Sequence, residues 1–294
     1  MNTIKKAVIP VAGFGTRFLP ITKTIPKEML PLVDKPNLLY TIEEAVAGGV
    51  EDIVLVQGRG KSSIEDFFDV SYELEDQLRK QNKLELLEKI IHLKDICNII
   101  SVRQKKALGL GHAVYAANKV IGDSAFALLL PDEIMYTAPD KSSVCKQLID
   151  HYQKHQVSTI ATMLVDKKDV SKYGIIKTEE LSKDRHKVLD VIEKPSPEES
   201  PSQLALPGRY IFASNIFQYL KETPAGKNGE IQLTDGMVQL AKKDGLEAIT
   251  FDGTRYDTGT KLGFIQANIE FALRHPEIKN NVKEFILNKA KELS

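Results

Sequence analysis

The segment from Ala7 to Pro36, AVIPVAGFGTRFLPITKTIPKEMLPLVDKP, carries the strongest structural signal in the chain. Its apolar start, residues 7–12, predicts a buried parallel strand. The pattern then breaks at Gly13–Gly15, where glycines permit a sharp turn and let backbone N–H groups face an anion. Arg17 adds a planar cation suited to phosphate oxygens, and Lys27 adds a second cation from a proline-rich loop. The segment therefore predicts a polyphosphate site beyond the first strand.

Composition narrows the classes of protein to consider. The 294 residues carry 40 basic and 40 acidic side chains, so a general nucleic-acid or membrane-surface role is not expected. The two cysteines, Cys97 and Cys145, form no CxxC pair, which favours a reducing compartment without a zinc site. Neither a signal peptide nor an apolar segment of membrane length stands out. We expect a soluble, cytoplasmic protein.

Strand and helix patterns alternate along the chain. Short apolar runs predict strands at 52–56, 98–102, 125–130, 157–165, 188–192, 209–213 and 246–251. Helical spacing predicts helices at 38–46, 62–68, 71–93 and 142–155, and a helix that ends near residue 274. This order predicts an α/β fold, Rossmann-like, with a mixed, mainly parallel sheet flanked by helices.

Three interpretations of the glycine turn compete. A dinucleotide-binding turn needs a third glycine where Phe18 stands, and the P-loop pattern is absent. An ordinary two-glycine turn would be the better interpretation of a bare GxG. The longer string GxGTRxLP, followed by PKEMLP at residues 26–31, is more specific. It resembles the sugar-phosphate nucleotidyltransferases, most closely the bacterial UTP–glucose-1-phosphate uridylyltransferases.

Further strings of that family follow in the family's order. They are SYELE (71–75), ALGLGHA (107–113), EKP (193–195) and NGEIQLTD (228–235). The resemblance spans residues 5 to about 272. It implies the nucleotide-diphospho-sugar transferase fold as a single domain over residues 1–274, with nucleotide bound by its first half and sugar phosphate by its second. Residues 275–294 are expected to form a helical tail.

The resemblance implies a nucleotide site in the first half of the chain. Its members would be Ala12, Gly13, Gly15, Thr16, Arg17, Lys27, Glu28, Gln104 and Gly109. Gln104 follows a predicted strand, and an amide that donates and accepts suits the edge of uracil or thymine. We expect His112 to support this site rather than catalyse. The Gly58-Arg-Gly-Lys61 string predicts either a second phosphate loop or, as we favour, a strand-to-helix turn capped by a serine.

A metal site is expected beyond the central strand. Asp132 follows the apolar run 125–130, where a carboxylate can hold a hard cation over phosphates, although a lone aspartate there can instead cap the next segment. The resemblance implies that Asp132 and Asp257 bind Mg²⁺. His151 and His155 lie four residues apart but lack a third zinc ligand, so we expect them on an exposed helix face.

The sugar-phosphate site is expected in the second half of the chain. Glu193 beside Lys194 pairs an acceptor for hydroxyl groups with a cation for phosphate. The resemblance implies that Gly174, Glu193 and Glu230 lie at the hexose and that Lys194 binds its phosphate.

The resemblance therefore implies an enzyme that makes UDP-glucose and pyrophosphate from UTP and glucose 1-phosphate, with Mg²⁺ as cofactor. Arg17, Lys27, Asp132 and Lys194 would carry the catalysis. A thymidylyltransferase and a non-catalytic regulatory subunit remain as alternatives. The resemblance also suggests a homo-dimer or homo-tetramer, while the balanced charge argues against a nucleic-acid or membrane partner.

Overall fold

The computed structural model describes residues 3–226 and 229–294, and a ten-stranded sheet forms its centre. Within this part of the chain the strands are, in order, β1 (Lys6–Val11), β2 (Pro31–Leu32), β3 (Lys35–Pro36), β4 (Asp52–Gln57), β5 (Asn98–Arg103), β6 (Phe126–Leu129), β7 (Glu133–Tyr136), β8 (Ser158–Leu164), β9 (Gly174–Ser182), β10 (Arg185–Glu193), β11 (Leu204–Ala205), β12 (Arg209–Phe212), β13 (Leu246–Thr250) and β14 (Thr254–Asp257).

Helices surround this sheet. In the described residues they are α1 (Asn37–Ala47), α2 (Ser62–Asp66), α3 (Tyr72–Lys80), α4 (Leu84–Asp95), α5 (Leu110–Ala116), α6 (Asn118–Ile121), α7 (Val144–His155), α8 (Ile216–Glu222), α9 (Leu233–Lys243), α10 (Lys261–Ala272) and α11 (Lys279–Leu293). Short 3-10 helices include Thr16–Phe18, Ile21–Lys23, Lys27–Met29 and Lys167–Lys172.

The large sheet has the order β11-β9-β10-β13-β8-β12-β6-β1-β4-β5. Strands β6, β1, β4 and β5 are parallel neighbours, as are β8 and β13. Strands β10, β11 and β12 run against the others. The predicted mixed, mainly parallel sheet is therefore confirmed.

Apolar packing covers both faces of the central strands. In β6, Phe126 and Leu128 join the core on one face, while Ala127 and Leu129 join the core on the other. Because side chains alternate along a strand, a continuous apolar run is what a doubly covered strand requires. Helices α5, α8 and α9 contribute to the first core, and α1 and α7 to the second. The sheet is thus flanked by helices, as predicted.

Two local predictions were wrong. The helix expected over 71–93 is divided into α3 and α4, because Asn82 adopts the left-handed conformation (φ 54°) and ends the first helix. His151 is not on an exposed face. Its Nε2 lies 2.8 Å from Glu247 Oε2, and its side chain is 12% exposed, because α7 packs over strand β8, which neighbours β13.

The C-terminal part of the chain is less packed. Helix α11 has no buried residue and contacts α10. Among the residues that the structure describes, no helix combines the length and apolar composition that crossing a membrane requires.

Candidate active site

A cavity of about 640 Å³ opens beyond the carboxyl ends of β1 and β6, where parallel sheets present ligand sites. Most of the predicted site residues line it: Ala12, Gly13, Arg17, Lys27, Glu28, Gln104, Gly109, Asp132, Gly174, Glu193, Lys194 and Glu230. Gly15, Thr16 and Asp257 stand outside this lining. The first residue of the NGEIQLTD string, Asn228, lies outside the described residues.

Gly15 shapes the loop that supports Lys27. Its φ is +66°, a conformation that favours glycine, and a Cβ there would lie 3.1 Å from both Lys27 Cβ and Thr22 Cγ2. Thr22 Oγ1 donates to the Gly15 carbonyl oxygen at 2.7 Å. Thr16 starts the next 3-10 helix and is exposed. In this structure both residues build the loop, while Gly13 and Arg17 face the cavity.

Three charged side chains meet at the centre of the cavity. Lys27 Nζ lies 2.5 Å from Asp132 Oδ2, and Arg17 donates to the Gly259 carbonyl oxygen at 3.3 Å. Burial opposes ionisation of Asp132, but Lys27 outweighs it and keeps the pKa of Asp132 below its usual value. Burial likewise lowers the pKa of Lys27, yet Asp132 and Glu28 leave that pKa raised overall. Both groups are therefore charged at neutral pH.

Asp257 reaches the same centre through a second, two-stranded sheet. Strands β7 and β14 pair antiparallel with Asp257 opposite Glu133, the residue after Asp132. The backbone N–H of Thr258 donates to the Asp132 carbonyl oxygen at 2.9 Å. A Cβ at Gly259 would lie 3.1 Å from Asp132 Oδ2 and 3.2 Å from Asp257 Oδ1. The two carboxylates thus converge on one small space.

This pair of carboxylates fits a magnesium ion. Mg²⁺ prefers oxygen ligands and is commonly held by one or two carboxylates together with substrate phosphates. Within residues 3–226 and 229–294 no group of three or more His, Cys, Asp or Glu side chains is placed to hold a metal. A cation between Asp132 and Asp257 would therefore take its other ligands from phosphate and water.

Gln104, one of the predicted nucleotide-site residues, lines the cavity just after β5. Its backbone N–H donates to the Gln57 carbonyl oxygen at 2.9 Å, which extends the pairing of β4 with β5. Its Nε2 lies 3.1 Å from the Gly109 carbonyl oxygen and 3.0 Å from His112 Nδ1. With Nδ1 as an acceptor, both amide hydrogens are used within the protein. Gln104 then offers a base its oxygen alone, whereas the sequence suggested that it donates and accepts.

Gly109 packs against the chain rather than against open space. Its φ is +92°, and a Cβ there would lie 2.8 Å from the Ile231 carbonyl oxygen and 2.9 Å from Glu230 Cβ. Ile231 N–H in turn donates to the Leu108 carbonyl oxygen at 2.8 Å. The glycine therefore lets the loop after β5 close against the segment that precedes α9.

The predicted sugar-phosphate residues meet through the β9–β10 hairpin. Its register places Gly174 opposite Glu193, and the Lys194 N–H donates to the Tyr173 carbonyl oxygen at 3.0 Å. Lys194 has a φ of +48°, and its Nζ lies 3.4 Å from Glu193 Oε1. Glu230 is exposed at the rim, where its Oε2 accepts from Gln232 Nε2 at 3.0 Å. A carboxylate and an ammonium thus stand together at this end of the cavity.

Sequence reasoning missed a buried arginine behind Asp132. The Arg209 side chain is 1% exposed and binds both Glu44 oxygens, the closest at 2.8 Å. It also donates to the Leu130 carbonyl oxygen at 3.0 Å and to that of Glu133. Arg209 therefore ties down the backbone on both sides of Asp132. The only sequence signal was a charged residue at the start of the apolar run 209–213.

Replacing Glu44 with alanine is expected to lower the free energy of unfolding by about 3–5 kcal/mol, because it leaves the Arg209 charge buried without its partner. Chemical denaturation measures this change. The matched control is Asp76→Ala, which breaks the exposed pair with Lys80 and should cost less than about 1 kcal/mol. Equal losses of unfolding free energy in the two variants would show that the buried pair stabilises the fold no more than the exposed pair does.

A second, partly buried ion pair was not predicted from the sequence either. Arg255 binds both oxygens of Glu133 and donates to the Tyr173 hydroxyl at 2.9 Å. Burial raises the pKa of Glu133 to about 7 even though Arg255 opposes the shift. The pair links the segment that carries Asp132 to Tyr173, which directly precedes the β9–β10 hairpin. Nothing in the spacing of these residues suggests that contact.

Comparisons with known proteins show what this chain is similar to. The model of the family described as "Nucleotidyl transferase" matches residues 6–273. A UTP–glucose-1-phosphate uridylyltransferase of Bacillus subtilis (strain 168) is 46% identical over 292 residues, 98% of this chain and 99% of the relative. A UDP-glucose pyrophosphorylase solved with UDP-glucose is 45% identical, with a TM-score of 0.85 over 92% of this chain and 100% of that one. A UTP-bound UGPase from Acinetobacter baumannii is 40% identical, with a TM-score of 0.90 over 97% and 99%.

Proposed function

The chain belongs to the nucleotidyl transferase family, and we propose that it makes UDP-glucose and pyrophosphate from UTP and glucose 1-phosphate. One observation carries the proposal: a single cavity is lined both by the loop cations Arg17 and Lys27 and by the Glu193–Lys194 pair. Two anionic substrates bound beside these two groups would meet near the Lys27–Asp132 pair. Curated relatives named UTP–glucose-1-phosphate uridylyltransferase match this chain over nearly their full length.

The reaction is an in-line attack of the sugar phosphate oxygen on the α-phosphorus of UTP, with pyrophosphate as the leaving group. The nucleophile is already an anion, so no general base is required. The main obstacle is repulsion between two highly charged reactants, which fixed cations reduce while positioning supplies much of the remaining rate.

Each charged residue has a proposed task in this reaction. Arg17 grips the β- and γ-phosphates, and Lys27 stabilises charge at the α-phosphate and the leaving oxygen. Lys194 holds the incoming phosphate, while Glu193 and the Gly174 backbone bind the hexose. Release of Lys27 from Asp132 lets each group turn to its own partner.

We propose Mg²⁺ as the cofactor, held by Asp132 and Asp257. When bound, it neutralises charge on the phosphate oxygens of the substrates. The support is the convergence of these two carboxylates beside Arg17 and Lys27, together with the lowered pKa of Asp132.

We also propose a cytoplasmic protein with one catalytic domain over residues 1–274, a helical tail over 275–294, and a homo-dimeric or homo-tetrameric assembly. Helix α11 supports the assembly, because Phe285 and Leu293 are 67% and 81% exposed. Sedimentation equilibrium of the full chain tests it. A monomer at micromolar concentration would contradict the assembly without affecting the proposed reaction.

The reverse reaction tests the proposed chemistry. The chain incubated with UDP-glucose, pyrophosphate and Mg²⁺ should produce UTP and glucose 1-phosphate in equal amounts, measured by ion-exchange chromatography. ADP-glucose is the control. Uracil can donate its N3–H to the side-chain oxygen of Gln104, whereas the corresponding ring nitrogen of adenine carries no hydrogen. Binding of UDP-glucose without any UTP formation would instead favour a regulatory subunit.

A further inference from the structure

An ion pair lies buried at the nucleotide side of the cavity. Lys61 Nζ is 2.7 Å from Glu28 Oε2, and the two side chains are 9% and 1% exposed. Glu28 follows Lys27 directly and lines the same cavity. Its other oxygen, Oε1, is buried and has no hydrogen-bond partner in the part of the chain that the structure describes. A buried acceptor of this kind is suited to a donor brought by a ligand.

The turn after β4 brings Lys61 to this position. A Cβ at Gly58 would lie 2.9 Å from the Ala12 carbonyl oxygen, so the glycine lets this turn pack against the end of β1. Gly60 has a φ of +76°, and Lys61 directly precedes α2. No serine side chain caps that helix. The prediction of a serine-capped turn was therefore wrong. The turn instead directs the Lys61 side chain to Glu28.

Charge explains why the pair is needed. Burial raises the pKa of Glu28, while Lys61 and, less strongly, Lys27 oppose the shift. Lys27 is itself paired with Asp132. Lys61 is thus the cation paired with Glu28. Its charge favours the ionised form of the Glu28 carboxyl, which lies beside Lys27, the lysine proposed to bind phosphate. Such a carboxylate repels phosphate, so its free oxygen suits a neutral N–H or O–H donor, which UTP carries on its base and ribose.

We propose that Lys61 is a positioning residue for UTP: it fixes Glu28 Oε2 and so presents Oε1 to a hydrogen-bond donor on the nucleoside. The inference rests on the proposed function. It also assigns the Gly58–Lys61 string a task other than phosphate binding. Lys61 acts through Glu28, which predicts that the two residues are energetically coupled.

Isothermal titration of UTP with Mg²⁺ onto the full chain tests the coupling. Glu28→Gln and Lys61→Met should each raise the Kd for UTP about tenfold, and the double variant should also show about a tenfold rise rather than about a hundredfold one. The matched control is Lys80→Met, which removes a lysine paired with Asp76 at 2.6 Å on the surface and should leave the Kd unchanged.

If Lys61→Met fails to fold, Lys61→Gln provides a second test. Its side chain is neutral but can still donate a hydrogen bond. Because it removes the charge facing Glu28, it should raise the pKa of that carboxyl further. The affinity for UTP should then begin to fall at a higher pH on acidification than in the wild type. The other charged group that faces Glu28, Lys27, is the same in both proteins.

The outcomes separate this inference from the proposed function. Failure of the wild-type chain to bind UTP would overturn both. Binding by the wild type with an unchanged Kd in a folded Lys61→Met, or with an unshifted pH dependence in Lys61→Gln, would overturn the positioning role alone. A rise of about a hundredfold in the double variant would show that Lys61 contacts UTP directly, as a second phosphate loop would.

Discussion

Replacement of Asp132 with asparagine is expected to lower kcat at least about 100-fold while the fold persists. Asparagine has nearly the same shape but removes the negative charge that faces Lys27 and Asp257. Because the pKa of Asp132 lies below its usual value, the wild-type carboxylate is ionised at neutral pH, and the variant loses a full charge. Steady-state pyrophosphate release with UTP and glucose 1-phosphate measures the change.

The control for this experiment is Asp140→Asn at an exposed position, which should leave kcat within about twofold. Circular dichroism and thermal unfolding establish that the Asp132 variant is folded. Titration with Mg²⁺ in the presence of UTP gives a second readout, since a metal ligand should also change the half-saturating concentration. A folded variant with near-normal kcat would rule out the metal role of Asp132.

Replacement of Lys194 with alanine should raise the KM for glucose 1-phosphate about 10- to 100-fold and leave the Kd for UTP nearly unchanged. The ammonium lines the cavity beside Glu193, the residue proposed to bind the hexose. Loss of one charge-assisted contact to the incoming phosphate gives this magnitude. Initial rates at varied glucose 1-phosphate, with titration of UTP in parallel, measure both constants.

A matched control is Lys187→Ala, which removes an exposed lysine from the same strand, β10. Its two constants should equal those of the wild type. If Lys194→Ala instead weakened UTP alone, the assignment of the two ends of the cavity would be reversed.

Much of this architecture follows from the sequence because its signals are local. The apolar run before Gly13 predicts β1, and the run before Asp132 predicts β6, each buried on both faces. Carboxyl ends of parallel strands meet at one edge of a sheet, so the position of Asp132 beside the loop that carries Lys27 was predictable. Glu193 and Gly174 required the family resemblance, because only the hairpin register brings them opposite each other.

The supporting residues were not predictable, because their partners are distant in sequence. Arg209 pairs with Glu44 across 165 positions, and Lys61 reaches Glu28 across 33. Neither pairing leaves a periodic pattern, and a charged residue near a strand end is ordinarily exposed. The break at Asn82 was missed for another reason: the apolar spacing continues on both sides of it, while the left-handed residue interrupts the backbone.

The proposed reaction is tested by measuring pyrophosphate release by the wild-type chain with glucose 1-phosphate and Mg²⁺, with UTP and dTTP in parallel. Uracil and thymine present the same hydrogen-bonding edge to Gln104, so that contact does not select between UTP and dTTP. The parallel measurement therefore establishes which nucleotide the chain prefers. The account predicts fast release with UTP and slow release with dTTP. Faster release with dTTP would place the chain with thymidylyltransferases, and no release with either nucleotide would contradict the proposed reaction.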